Sequence, residues 1–156
     1  MFKNLFDDIM GRISAEDVAA DDRDAAIRMA TAVLMVDVAL VDSSFDEVEF
    51  ERMLGLVKNH FGLSTQAAAE LINAANAEAD ELVSVHEFTE LLHKNLNDDE
   101  KARVIELLWS TAYADGDLDK YEAALVMKVS DMLNVNRDLV MRLKLDAQQA
   151  RHKTQG

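Results

Sequence analysis

Residues 107–122 read LLWSTAYADGDLDKYE, an apolar segment that leads directly into an acidic turn. A second stretch, VDSSFDEVE at residues 41–49, also follows a long apolar segment and repeats the order of acidic and apolar positions. Asp42 aligns with Asp115 at an offset of 115 − 42 = 73 residues. Further along, FGLS at 61–64 aligns with LNVN at 133–136 at an offset of 133 − 61 = 72. The chain therefore contains an internal repeat.

The spacing of apolar residues predicts helices along the whole chain. From Phe2 to Ile13 they recur every three or four residues, and no polar–apolar alternation reaches the length of a strand. The chain has no proline and only five glycines, which also favours helix. We predict helices at 2–12, 21–41, 46–61, 65–79, 84–95, 98–114, 119–133 and 136–150. The fold class is all-α, a bundle of about seven or eight helices built from two halves related by a pseudo-twofold axis.

The repeat also predicts the domain organisation. An N-terminal amphipathic helix and linker occupies residues 1–20, and a single helical domain covers residues 21–150. Its halves are residues 21–79 and 98–150. Each half alone would expose a large apolar face, so the two halves should pack against each other. Residues 151–156 are expected to form a flexible tail.

Composition narrows the range of partners. The 156 residues include 16 basic and 30 acidic side chains, a formal charge of 16 − 30 = −14. This charge repels nucleic acids and anionic membranes. Without cysteine, disulfides and thiolate metal sites are excluded. The longest apolar run, residues 29–41, is shorter than the roughly 20 residues that span a bilayer. We expect a cytoplasmic protein without direct membrane insertion that binds a protein partner, for which a basic protein and a second copy of the chain are both candidates.

The two acidic turns are the most concentrated chemistry in the sequence. Closely spaced carboxylates repel one another unless a cation compensates, and their hard oxygens favour Mg²⁺, Ca²⁺ or Mn²⁺. The candidate metal ligands are Asp42, Asp46, Glu49, Asp115, Asp117, Asp119 and Glu122.

Helix capping explains part of the same pattern. An Asp followed three residues later by a Glu forms a capping box, as Asp46 with Glu49 and Asp119 with Glu122 would. Asp42 and Asp115 lie four residues before these caps and are not explained by capping. Structural capping and cation binding therefore both remain open.

Other polar residues give weaker signals. Asp37 lies inside an apolar segment, so it either pairs with a donor or cationic side chain or joins the acidic site. Glu90 and His93 form a single Glu-x-x-His, which we interpret as an exposed helical face because di-iron bundles need two such pairs. Trp109 and Tyr113 are expected in the core. The sequence offers no Gly-rich phosphate loop, and we predict no enzymatic activity and no catalytic residues.

The segment from Leu107 to Glu122 resembles the signature of TerB-like, tellurite-resistance-associated proteins, in which a helix ends in Ala-Asp-Gly and a glutamate opens the next helix. Residues 41–49 resemble the corresponding motif of the first half, and residues 86–91 resemble the linker helix. The similarity covers about residues 25–150. It implies an all-helical fold of two related halves and a divalent-cation site at Asp42, Glu49, Asp115 and Glu122. This chain has Ser43 where the second copy has Gly116.

Two hypotheses of function follow. The first is a non-enzymatic TerB-like module that binds a divalent cation through the acidic turns and acts in a stress-response or tellurite-resistance-associated complex. The alternative is a metal-free, acidic scaffold for protein–protein interaction.

Overall fold

The computed structural model describes the backbone of residues 20–40, 47–80, 85–113 and 120–155, and the side chains of residues 23–40, 47–79, 85–113 and 120–150. Every regular element in these ranges is an α-helix. In chain order the helices are α1 (Ala20–Leu40), α2 (Glu47–Phe61), α3 (Thr65–Asp80), α4 (His86–Asn95), α5 (Asp98–Ala112), α6 (Lys120–Met132) and α7 (Arg137–Gln155). The predicted all-α fold class is confirmed.

Seven of the eight predicted helices are present in the described ranges. Their ends agree with the predicted ends to within two residues, except that α7 continues to Gln155 rather than to residue 150. The predicted helix at 2–12 lies outside the described residues, as do both acidic turns, at 41–46 and 114–119. The pseudo-twofold relation between the halves stays a prediction.

Helix α1 lies at the centre of the bundle. It packs closely against α3, α4 and α5, and more lightly against α2 and α6. Every residue from Met29 to Val36 is buried, as expected for a helix that is apolar on all sides. Trp109 on α5 and Tyr113, the C-cap residue that follows this helix, are also buried. The Trp109 indole Nε1–H donates to the Val140 carbonyl of α7 at 3.1 Å. The predicted place of Trp109 and Tyr113 in the core is confirmed.

Capping side chains start three of the helices. Asn97 accepts a hydrogen bond from the Glu100 backbone N–H at 2.8 Å, and the Glu100 carboxylate accepts one from the Asn97 N–H at 2.9 Å, which completes a capping box on α5. Ser64 Oγ accepts from the Ala67 N–H at 3.1 Å at the start of α3. Asn136 Oδ1 accepts from the Asp138 N–H at 2.8 Å at the start of α7.

The turns after α2 and α6 share a backbone conformation. Gly62 and Asn134 adopt left-handed φ angles of 66° and 62°. The Leu63 N–H then donates to the Lys58 carbonyl at 3.1 Å, and the Val135 N–H donates to the Ser130 carbonyl at 3.0 Å. Each of these hydrogen bonds joins residues five apart, as in the Schellman motif at the end of a helix, which favours a Gly or Asn with left-handed φ. Aligned segments of the sequence thus end their helices in the same way.

None of the helices in the described ranges combines the length and the apolar character that crossing a membrane requires.

Candidate functional site

The structure describes two of the seven predicted metal ligands. Glu49 and Glu122 are described, each in the first turn of a helix. The other five lie outside the described residues, namely Asp42, Asp46, Asp115, Asp117 and Asp119. The predicted site is therefore visible only at its two glutamates, and its full ligand set stays a prediction.

Glu122 is deeply buried for a carboxylic acid. It lies in the first turn of α6, directly after the acidic turn 114–119, and the residue is 2% exposed. Val126 and Ser130, one and two turns later, are also buried. Because residues four apart lie on the same face of a helix, Glu122 continues this inward stripe toward the acidic turn.

Glu49 has the corresponding place on α2. It lies in the first turn, and Met53 and Val57 on the same face are buried. Glu49 itself is only half-buried. Both glutamates thus begin an inward-facing stripe, but the second lies deeper.

The chemistry at Glu122 is that of a hard-cation ligand or of a strongly hydrogen-bonded carboxylate. Removing an ionised carboxylate from water is costly unless hydrogen bonds or a cation compensate, and carboxylate oxygens suit Mg²⁺, Ca²⁺ and Mn²⁺. No group of three or more His, Asp or Glu side chains within the described ranges is arranged to hold a metal ion. The ligands that would accompany Glu122 around a cation are therefore not found together in the described part of the chain.

Asp37 lies on α1, one turn before that helix ends at Leu40. Burial raises the pKa of its carboxyl group, and the positive charge of Lys128 on α6 opposes this effect. The position of Lys128 thus agrees with the prediction that Asp37 has a cationic side chain near it. Whether Asp37 also belongs to the acidic site stays a prediction.

The single Glu-x-x-His does not bring its two side chains to a common centre. On the exposed side of α4, Glu90 forms an ion pair with Lys94 at 3.0 Å, and its Oε2 lies 3.6 Å from His86 Nε2. His93 Nδ1 instead lies 2.8 Å from the buried Lys101 Nζ. The predicted surface role of Glu90 agrees with these contacts.

A cavity between α1, α2 and α5 was not predicted. Its volume is about 320 Å³, and its lining includes Arg28, His60, Phe61 and Arg103. Burial and the nearby Arg103 lower the pKa of His60. These residues are far apart in the sequence and form no motif, so neither periodicity nor spacing could have brought them together.

Comparison with known proteins gives a family. Residues 28–145 match the family model described as tellurite resistance protein TerB. Searches of curated proteins and of solved structures gave no significant match. The matched segment begins in α1, ends in α7 and includes both acidic turns. Since it covers most of the chain, this protein belongs to the TerB family.

Proposed function

We propose that this TerB-family chain is a non-enzymatic module that binds a divalent cation through its two acidic turns. In this proposal the module acts in the cytoplasm, within a tellurite-resistance-associated or stress-response complex. The observation that supports it best is the burial of Glu122, which lies in the first turn of α6.

Burial matters here because of its electrostatic cost. A half-exposed carboxylate at the start of a helix is adequately explained by capping and by the helix dipole. The Glu122 residue is 2% exposed, so its carboxylate retains little hydration. In this proposal the three aspartates that precede it at 115–119 in the sequence lie close enough to add repulsion. A divalent cation bound among these oxygens would offset both costs.

The two halves contribute unequally in this proposal. Glu122 offers a buried oxygen ligand, whereas Glu49 is half-buried and remains more hydrated. The segments 42–49 and 115–122 contain four carboxylates each, so the proposed inequality rests on burial and not on the number of charges. We therefore expect the second turn to supply most of the affinity.

The partner of the module is proposed from charge. A formal charge of −14 favours a basic protein surface. A bound divalent ion would reduce the repulsion within the acidic turns and fix their shape, so cation binding and partner binding should be coupled.

Isothermal titration with Mg²⁺, Ca²⁺, Mn²⁺ and Zn²⁺ tests the proposal. At least one of these ions should bind below millimolar concentration. A ligand present at 100 times its Kd stabilises the folded state by about 2.7 kcal/mol, so the same ion should raise Tm and EDTA should reverse the rise.

Matched variants locate the site. Glu122→Gln and Asp115→Asn should weaken binding about tenfold or more, because each removes a charged ligand. Glu51→Gln is the control, since Glu51 lies on the exposed face of α2 and should bind like the wild type. If none of the four ions binds and EDTA leaves Tm unchanged in the wild type and in Asp115→Asn, the metal-free scaffold replaces this proposal.

A further inference from the structure

Beyond the acidic turns, the molecule has a cavity with a different charge pattern. It lies between α1, α2 and α5, and a neighbouring cavity of about 350 Å³ shares His60 and Arg103 with it. Both volumes lie in the range of small-ligand pockets. His60 and Arg103 therefore stand at the junction of two adjacent spaces.

The two arginines of this cavity, Arg28 and Arg103, are not held in ion pairs within the described part of the chain. Asp24 and Glu100 also line the cavity. The Glu100 carboxylate accepts the Asn97 N–H at 2.9 Å and keeps its negative charge, and Glu106 lines the neighbouring cavity.

His60 faces the same space from α2. Its ring meets the Phe61 ring edge to face, with centroids 4.6 Å apart, and this contact restricts its orientation. Burial, and to a lesser extent the positive charge of Arg103, lower the pKa of His60, so the neutral imidazole is favoured when no anion is bound. Arg103 and His60 nevertheless line the same two spaces. A fixed guanidinium charge and a ring that can donate a hydrogen bond together suit an anion.

Apart from Thr31, the rest of the lining is apolar. Ile27, Phe61, Leu96 and Val104 form part of the wall. A pocket with an apolar wall and a few cationic groups suits a small organic molecule with one charged head. The planar, forked guanidinium favours carboxylate and phosphate oxygens over other polar groups.

We infer that this cavity, hereafter the arginine cavity, binds a small organic anion whose carboxylate or phosphate head is held by Arg28, Arg103 and His60. The net charge of −14 does not prevent this. At physiological ionic strength, charges beyond about 8 Å are largely screened, whereas groups that line the cavity act on the ligand at close range.

Titration followed by ¹⁵N NMR tests the inference with three probes that have the same apolar ring. Benzoate and phenyl phosphate carry the anionic head, and benzamide is the neutral control. The measurements are made in EDTA, so the result does not depend on a cation at the acidic turns. We expect one or both anions to shift the backbone amide signals of Arg28, His60 and Arg103, and the tighter one identifies the head group.

Variants assign the contacts. Arg103→Gln should weaken binding of the anion about tenfold, which is the loss expected for one charge-assisted contact. Arg142→Gln is the control, because Arg142 is exposed on α7 and lines neither cavity. Equal shifts with benzamide, no saturable shift with either anion, or an equal loss in Arg142→Gln would each overturn the inference.

The pH dependence of benzoate binding tests the part played by His60. Benzoate stays ionised across the range in which histidine titrates. Bound anion favours the imidazolium, so affinity should rise as the pH falls from about 8 to about 5.5. The charged groups that line the two cavities around His60 are Asp24 and Arg28 from α1, and Glu100, Arg103 and Glu106 from α5. His60→Gln should flatten the profile, and a flat profile in the wild type would contradict the assignment of His60.

Discussion

Helices α2 and α6 both follow an acidic turn, and their inward faces carry residues at the same spacing. Glu49 and Met53 on α2 align with Glu122 and Val126 on α6 at an offset of 122 − 49 = 73. Met53 and Val126 are both buried, as are the residues one turn later on each helix. The two helices thus present corresponding faces to the interior.

The two glutamates differ in burial, and the two helices differ in their neighbours. Helix α6 packs against α1, α4, α5 and α7, whereas α2 packs against α1, α3 and α5. Glu122 is buried, and Glu49 is only half-buried. The spacing within a repeat fixes which face points inward, and the packing around each copy decides how much water remains at its polar end.

The largest expected effect comes from shortening the two aligned core residues. Met53 is 2% exposed, so Met53→Ala should lower the free energy of unfolding by about 2–5 kcal/mol. Val126→Ala removes fewer atoms from the aligned place on α6 and should cost less. Urea denaturation, with the midpoint and the slope fitted separately, measures both.

Val48→Ala is the control for this pair. Val48 lies on α2 and is 56% exposed, so its loss should change the free energy of unfolding by less than about 0.5 kcal/mol. If Val126→Ala lowers the free energy of unfolding more than Met53→Ala does, α6 contributes more to the core than the smaller size of Val126 suggests.

A smaller effect is expected at the turns that end α2 and α6. Gly62→Ala should destabilise the protein by about 1–2 kcal/mol, because an alanine resists the left-handed φ of 66°. A Cβ placed at Gly62 meets no atom within 4 Å, so the cost is conformational and not steric crowding by neighbours.

Asn134→Gly tests the same turn after α6. The substitution removes the conformational strain of a side-chain-bearing residue at a left-handed φ of 62°, but the glycine gives the unfolded chain more conformational freedom. These contributions oppose each other, so we expect a change within about 0.5 kcal/mol. Thermal unfolding of both variants measures the pair, and a Gly62→Ala protein as stable as the wild type would contradict the conformational explanation.

The parts of the fold that could be predicted are those decided by residues close together in the sequence. The capping box of Asn97 and Glu100 and the caps at Ser64 and Asn136 involve partners two or three residues apart. The seven described helices follow from apolar periodicity in the same way. The prediction ended α7 too early, because the last residues of this helix carry no apolar pattern from which a helix could be predicted.

The features that could not be predicted depend on contacts between distant segments. The arginine cavity needs Arg28, His60 and Arg103 from three helices, and the contact of His93 with Lys101 joins α4 to α5. The site at the acidic turns was predicted as a set of residues. The burial of Glu122 was not, because it depends on how α6 packs against its neighbours.

Another small effect concerns the charge that Lys128, in the second copy, brings to α1. Lys128 on α6 acts on Asp37, whereas the aligned residue on α2 is Gly55, at 128 − 73 = 55. Burial raises the pKa of Asp37 more than Lys128 lowers it. The folded state therefore binds the Asp37 proton more tightly than the unfolded state does, and ionised Asp37 is a cost to folding at neutral pH.

Asp37→Asn should consequently stabilise the protein at neutral pH, by less than about 1 kcal/mol because solvent screens a half-buried charge. The gain should disappear as the pH falls through the raised pKa toward the ordinary value of an aspartate, where the wild-type carboxyl group is itself neutral. Urea denaturation at neutral and acidic pH measures this, with Asp146→Asn on the exposed face of α7 as the control. Destabilisation at neutral pH would instead mean that the attraction between Asp37 and Lys128 outweighs the cost of burial, and that α6 is fixed to α1 by a charge contact with no counterpart at Gly55 of α2.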